Sequence, residues 1–286
     1  PYNPTVSHLA YSYSLKAVCD DLLPESSSDR EVPHMSWQNV RKATDEAIVT
    51  FPDILDGPVI IKGMKDHPES RNSVSAMVID SPHGYTFTGD LAGTGDLSLT
   101  VLRGEHAWAP DSTWTTRAWS STETYDLIMD VAQGAKLKFQ GRAQEVEGAY
   151  TWCDGAGIVK KGEGVVELTA DYAPIYSPDV RSNRGYRAPT LIQEGLLLVN
   201  NESGSGVSPK SRVQVDWGAT LGGNGAIGLG GSSAEVVVRS GGTIAPGDGI
   251  GTLTLRDGLQ LRDGARLIFE VGEKADLLRI TGGTFR

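Results

Sequence analysis

The residues able to do chemistry in this 286-residue chain are few and scattered. Gly223-Asn224-Gly225-Ala226-Ile227-Gly228 satisfies G-x-G-x-x-G, the spacing by which a glycine turn brings a dinucleotide pyrophosphate against a helix N-terminus. That chemistry needs a helix after the glycines, and LGGSSAEVVV reads as a turn and a strand, so no nucleotide cofactor is expected. Gly157–Gly162 runs on into Glu163, which excludes a phosphate loop of the Walker type. Histidines 8, 34, 67, 83 and 106 show no metal-ligand spacing, and no metal or other cofactor is predicted. No G-x-S-x-G elbow occurs, and no nucleophile has an evident base, so no catalytic residue is nominated.

Carboxylates give the strongest enzymatic alternative. Asp171 and Asp179 with Arg181, Arg184 and Arg187 crowd one stretch, and a polysaccharide lyase or hydrolase sets acids of this kind along a groove. Their mixed charge in a single loop fits a solvated loop better. Asp248 and Asp257 are lone carboxylates beside glycine, where turn chemistry suffices and calcium would want more oxygens. For binding, the candidates are Trp108, Trp114, Trp119, Tyr172, Tyr176 and Tyr186. Such rings stack on sugar faces and anchor protein interfaces, although the tryptophans could equally pack down and hold their loop in place. Cys19 and Cys153 are two separate thiols or one disulfide; the sequence leaves both open.

The elements that must position these residues are short strands. Thirty-five glycines punctuate brief apolar bursts. PVIIKGM (58–64), SAMVIDS (75–81), YTFTGD (85–90), LSLTVL (97–102), DLIMDV (126–131) and AKLKFQ (135–140) read as strands between glycine corners. Glycines preceding strands at 134, 157, 195, 218, 242 and 264 are separated by 23, 38, 23, 24 and 22 residues. A repeat of this length with several corners predicts an all-β, right-handed parallel β-helix rather than a sandwich. Two stretches break the period and are predicted to be insertions, 103–125 and 171–189.

Residues 1–35 differ. Leu15, Val18, Cys19, Leu22 and Leu23 share one helical face and Pro24 ends the run, so 1–35 is predicted to be a short helical cap on the stack. Segment 36–51 is ambiguous between helix and strand, and the β-helix is expected over 36–286. Both ends read as cuts through a longer coil, with further domains covalently attached. The net charge of −10 disfavours nucleic acid and anionic membrane surfaces, and no apolar run is long enough to insert in a bilayer.

GIVKKGEGVVELTADY from Gly157 and LIQEGLLLVNN at 191–201 resemble the autotransporter-associated β-strand repeat, on Gly157, Lys160, Gly162, Gly164, Val166, Leu168, Gly195, Leu197, Val199 and Asn200. The likeness is close over 157–283 and weaker from Trp37 to Phe139; it does not extend to the two insertions or the N-terminal helix. It implies a parallel β-helix in an exported or cell-surface bacterial protein, architectural in role and without catalytic residues. A structural or adhesive module contacting glycan or extracellular protein is therefore expected.

Overall fold

A computed structural model describes residues 12–14, 31–32, 48–52, 59–61, 76–87, 91–93, 96–109, 113–116, 125–145, 156–171, 188–209 and 211–286. Every regular element among them is a strand. The first sheet takes eleven strands in chain order: Ser12–Ser14, Ile48–Pro52, Ala76–Asp80, Leu97–Arg103, Tyr125–Val131, Ala156–Lys161, Thr190–Ile192, Val213–Val215, Val236–Val238, Gly258–Leu261 and Thr284–Phe285. The second takes the strand after each of the first ten: Glu31–Val32, Val59–Ile61, Tyr85–Phe87, Glu105–Trp108, Lys136–Phe139, Val165–Leu168, Leu196–Val199, Thr220–Gly223, Thr243–Pro246 and Arg266–Leu267. A third face carries two three-stranded sheets, Leu91–Gly93 with Thr113–Thr116 and Arg142–Glu145, and Ala226–Ile227 with Thr252–Leu255 and Leu277–Ile280. All the named strands pair in parallel, each with its counterpart one coil away, an order compatible with a parallel β-helix.

The core follows from alternation. Within a strand every second side chain points inward, so stacked coils align them in rows. One row reads Met77, Leu99, Met129, Lys160, Ile192, Val215 and Val238, all buried. A second reads Leu137, Val166, Leu197, Leu221 and Ile244 on the facing sheet. No coil buries its own apolar edge, and each relies on its neighbours.

The corner between first and second sheets is a tight turn that the sequence encodes repeatedly. In Ala132-Gln133-Gly134-Ala135, Asp216-Trp217-Gly218-Ala219, Arg239-Ser240-Gly241-Gly242 and Arg262-Asp263-Gly264-Ala265, the fourth N–H donates to the first carbonyl at 2.9–3.1 Å. The third residue has φ of 76–82°, as a type II turn requires, and only glycine takes it without strain.

Several expectations change. Segment 103–125 is not a single insertion, because Leu97–Arg103, Glu105–Trp108 and Thr113–Thr116 are rungs of the three faces. Trp108 and His106 are the inward residues of an ordinary in/out alternation over Glu105–Trp108. Within 1–35, Ser12–Ser14 pairs with Ile48–Pro52 and Glu31–Val32 with Val59–Ile61, so this segment already contributes rungs. The helix expected over 15–23, Cys19 and Cys153 lie outside the described residues. In the ambiguous 36–51 segment, Ile48 onward is strand. The repeat also has a different phase. Thr190, Val213, Val236 and Leu259 follow at steps of 23, whereas Leu127, Ile158 and Thr190 follow at 31 and 32.

Candidate functional site

The six aromatic candidates do not form one group in the described residues. Trp108 is fully buried, in an inward row with Phe87 and Phe139. Its ring stacks on Phe87 at 5.0 Å and 14° and leans on Phe139 at 6.2 Å. A ring so enclosed cannot meet a ligand, and Trp108 is a core residue. Trp114 sits on strand Thr113–Thr116 beside Leu91 and Ala143 of the neighbouring rungs. Trp119, Tyr172, Tyr176 and Tyr186 lie outside the described residues, as do Asp179, Arg181, Arg184 and Arg187. Asp171 is placed, and it accepts from Ser203 N at 2.9 Å and Ser203 Oγ at 3.0 Å, the work of a loop brace.

On the outer face of the second sheet, polar side chains from successive coils do converge. Glu167 accepts from Lys136 Nζ at 2.8 Å and Asn200 Nδ2 at 3.1 Å, with Lys138 Nζ at 3.8 Å. Burial pushes the Glu167 carboxyl up, but the hydrogen bonds from Lys136 and Asn200 and the charges of both lysines outweigh it and hold the group below the usual range. On Lys136, burial favours the neutral amine, yet Glu167, Asp248 and Glu105 together raise its pKa. Asn200 Oδ1 in turn accepts from Asn224 N at 2.9 Å, and Asn224 Oδ1 from Thr252 N at 3.2 Å. A carboxylate fixed as the anion donates no proton, so this cluster braces coils rather than supplying a general acid.

Two carboxylates lie on successive coils of the first sheet. Asp96 and Asp126 open adjacent rungs of the first sheet, and Asp96 Oδ1 accepts from Asp126 N at 2.7 Å. Burial and the charge of Asp96 raise the Asp126 pKa, partly offset by the Gly157 N–H and Lys161.

Three inward polar groups each complete a turn, and the sequence reading missed the first two. Lys160 occupies an apolar row, fully buried, and its Nζ donates to the carbonyls of Lys161 (2.6 Å), Gly162 (2.5 Å) and Glu194 (3.1 Å). Burial pulls its pKa down to about 8, against the pull of Asp130 and Glu194. His106 accepts from Tyr85 N at Nδ1 (3.0 Å) and faces the Arg103 carbonyl with Nε2 (2.8 Å), which assigns the neutral Nε2–H tautomer. Burial lowers its pKa, and bonding to the Arg103 and Ser81 backbone only partly restores it. Asp257 fills the glycine loop 228–232, accepting from Leu229 N (3.0 Å), Ser232 N (2.7 Å) and Ser232 Oγ. The loop next to G-x-G-x-x-G thus cradles an internal carboxylate in place of a phosphate. Turn chemistry accounts for Asp257, as the sequence suggested.

Among the described residues no three His, Cys, Asp or Glu side chains gather as a metal site, and no helix is long and apolar enough to cross a membrane. No protein-family model, curated protein or solved structure matches the chain.

Proposed function

We propose that this chain is a right-handed parallel β-helix serving as a non-catalytic structural and adhesive module of an exported bacterial surface protein of the autotransporter-passenger kind. The observation that carries the reading is the unbroken parallel order of eleven rungs in one sheet, with inward rows running through it. Right-handed crossovers are nearly universal for parallel strands of one sheet, which supports the right hand. At about 4.8 Å per rung, such a stack is a shaft roughly 50 Å long. Its charged groups pair with each other and brace coils, as Glu167 does with Lys136, which suits a scaffold. Its partners are glycan or extracellular protein, contacted by side chains on corners and loops, and its place is the cell surface.

Antibody raised to the chain is expected to label intact source cells without permeabilisation. Labelling confined to lysed cells would overturn the reading. The second reading, polysaccharide cleavage, rests on Asp96 and Asp126 alone. It requires release of reducing ends or unsaturated sugars from a polysaccharide panel, and loss of that release in Asp126→Asn. The scaffold reading expects no release.

A further inference from the structure

The corner Asp216–Ala219 carries an indole that the rest of the fold does not use. Trp217 is 79% exposed, in contrast to the fully buried Trp108. It occupies the second position of a turn whose third residue, Gly218, is left-handed at φ 78°. The next turn lies directly beneath it. A Cβ on Gly241 would overlap the indole Cδ1 and come within 2.7 Å of Nε1 and 3.0 Å of Cγ. The ring is therefore seated against bare backbone and otherwise open to water.

The seat is fixed by stacked turns, Gly218 N donating to Gly241 O at 3.1 Å and Gly241 N to Gly264 O at 2.9 Å. Beside it, Asp216 Oδ1 accepts from Gln214 Nε2 at 3.0 Å and lies 3.4 Å from Arg239 Nε. The side chains of Arg239 and Asp216 are 58% and 23% exposed, so both reach solvent. The local charge of this pair is zero, while carboxylate, guanidinium and amide together offer donors and acceptors of every kind.

We infer that Trp217 is a stacking platform for a pyranose ring of a neutral polysaccharide, with Asp216, Arg239 and Gln214 bonding its hydroxyls. An indole presents the flat, electron-rich face that the C–H side of a sugar fits. A paired, neutral surround favours a neutral glycan over a uronate or phosphate polymer, which the chain's net charge of −10 also repels. A short turn fixes the ring before binding, so little order is lost on association. This inference rests on the display role proposed above and names its partner.

The test is native electrophoresis of the whole chain through gels cast with laminarin, hydroxyethylcellulose, xylan or galactomannan, using wild type, Trp217→Ala and Trp217→Phe. Wild type is expected to be retarded by at least one of the four glycans. Trp217→Ala should weaken the apparent affinity tenfold or more, and Trp217→Phe should retain part of it. Circular dichroism and melting should be unchanged in both variants, because the ring is exposed. Equal retardation of wild type and Trp217→Ala overturns the platform. No retardation by any of the four overturns the glycan partner, and intact-cell labelling in that case leaves display standing. Retardation lost in Trp217→Ala, with labelling only after lysis, upholds the platform and removes the surface role instead.

Discussion

Lys160 offers a prediction with a definite sign. Its ammonium lies inside an apolar row between Met129 and Ile192 of the adjacent rungs, held by three backbone carbonyls. Burial disfavours the charged form and outweighs the pull of Asp130 and Glu194, so the folded pKa is about 8. An unfolded lysine titrates near 10.4. Between these values the unfolded chain keeps a proton that the folded chain has released, so the contribution of this position to stability rises with pH. At 1.36 kcal/mol per pKa unit the whole gain is about 3 kcal/mol. Lys160→Met keeps an unbranched side chain of similar length and cannot titrate. Urea unfolding of both proteins at several pH values from about 7 to about 10.5 gives the difference between them, in which the other titrating groups cancel. Wild type should gain about 3 kcal/mol on the variant across that range. A flat difference would show that the ammonium is hydrated. A difference that falls with pH would show that the polar and charged groups around the ammonium outweigh burial, and either result refutes the reasoning.

Trp108→Ala should cost about 3–5 kcal/mol in denaturant unfolding, by opening a cavity between Phe87 and Phe139. Trp108→Phe should cost much less, because the indole Nε1 meets no acceptor among the described residues. His106 is held neutral with a lowered pKa, so the unfolded chain takes up a proton first as pH falls through about 6.5. The melting temperature of wild type relative to His106→Gln should therefore fall on acidification below that point and stay level above it. Asp257→Ala removes the acceptor of two loop amides and a hydroxyl; it should cost about 1–3 kcal/mol and speed hydrogen exchange at Leu229 and Ser232, with Asp257→Asn between.

The strands were legible because their alternation is clean. SAMVIDS holds Ala76–Asp80, while Leu97–Arg103 runs one residue past the end of LSLTVL and Tyr125–Val131 starts one residue before DLIMDV. The phase of the coil was less so. Gly134 belongs to the turn before the second sheet, whereas Gly157 is the second residue of a strand of the first, and the step of 23 between them joined positions that are not equivalent. A glycine marks a corner without saying which corner. Inward polar residues were hidden for a different reason. Lys160 and His106 break the apolar pattern at positions where the backbone turns just beside them, and their polar ends serve carbonyls and amides that only the folded corner brings near. Trp217 stands alone in the sequence, away from the clustered aromatics. The signal was local: an aromatic at the second position of an x-x-Gly-Ala turn has no inward side to occupy.

Beyond Ala76, length varies far more on one flank of the stack than on the other. From Ala76 onward, the eight connections between first and second sheets span one to four residues, from the single Gly104 to four-residue turns such as Asp216–Ala219. The return from the second sheet to the first is longer and uneven, running from Leu168 to Thr190 in one coil and from Val199 to Val213 in the next. The stacked turns explain the restriction. Each donates to its neighbour, Gly218 to Gly241 and Gly241 to Gly264, so an inserted residue would break two ladders at once. The return flank is tied between coils by side chains instead, Asp171 reaching Ser203 and Asp257 reaching the 228–232 amides, each one coil away. Sequence change that alters shape is thus directed chiefly to the return flank, while beyond Ala76 the tight flank stays within four residues. A ring placed there, as Trp217 is, keeps its position to within the stiffness of the stack.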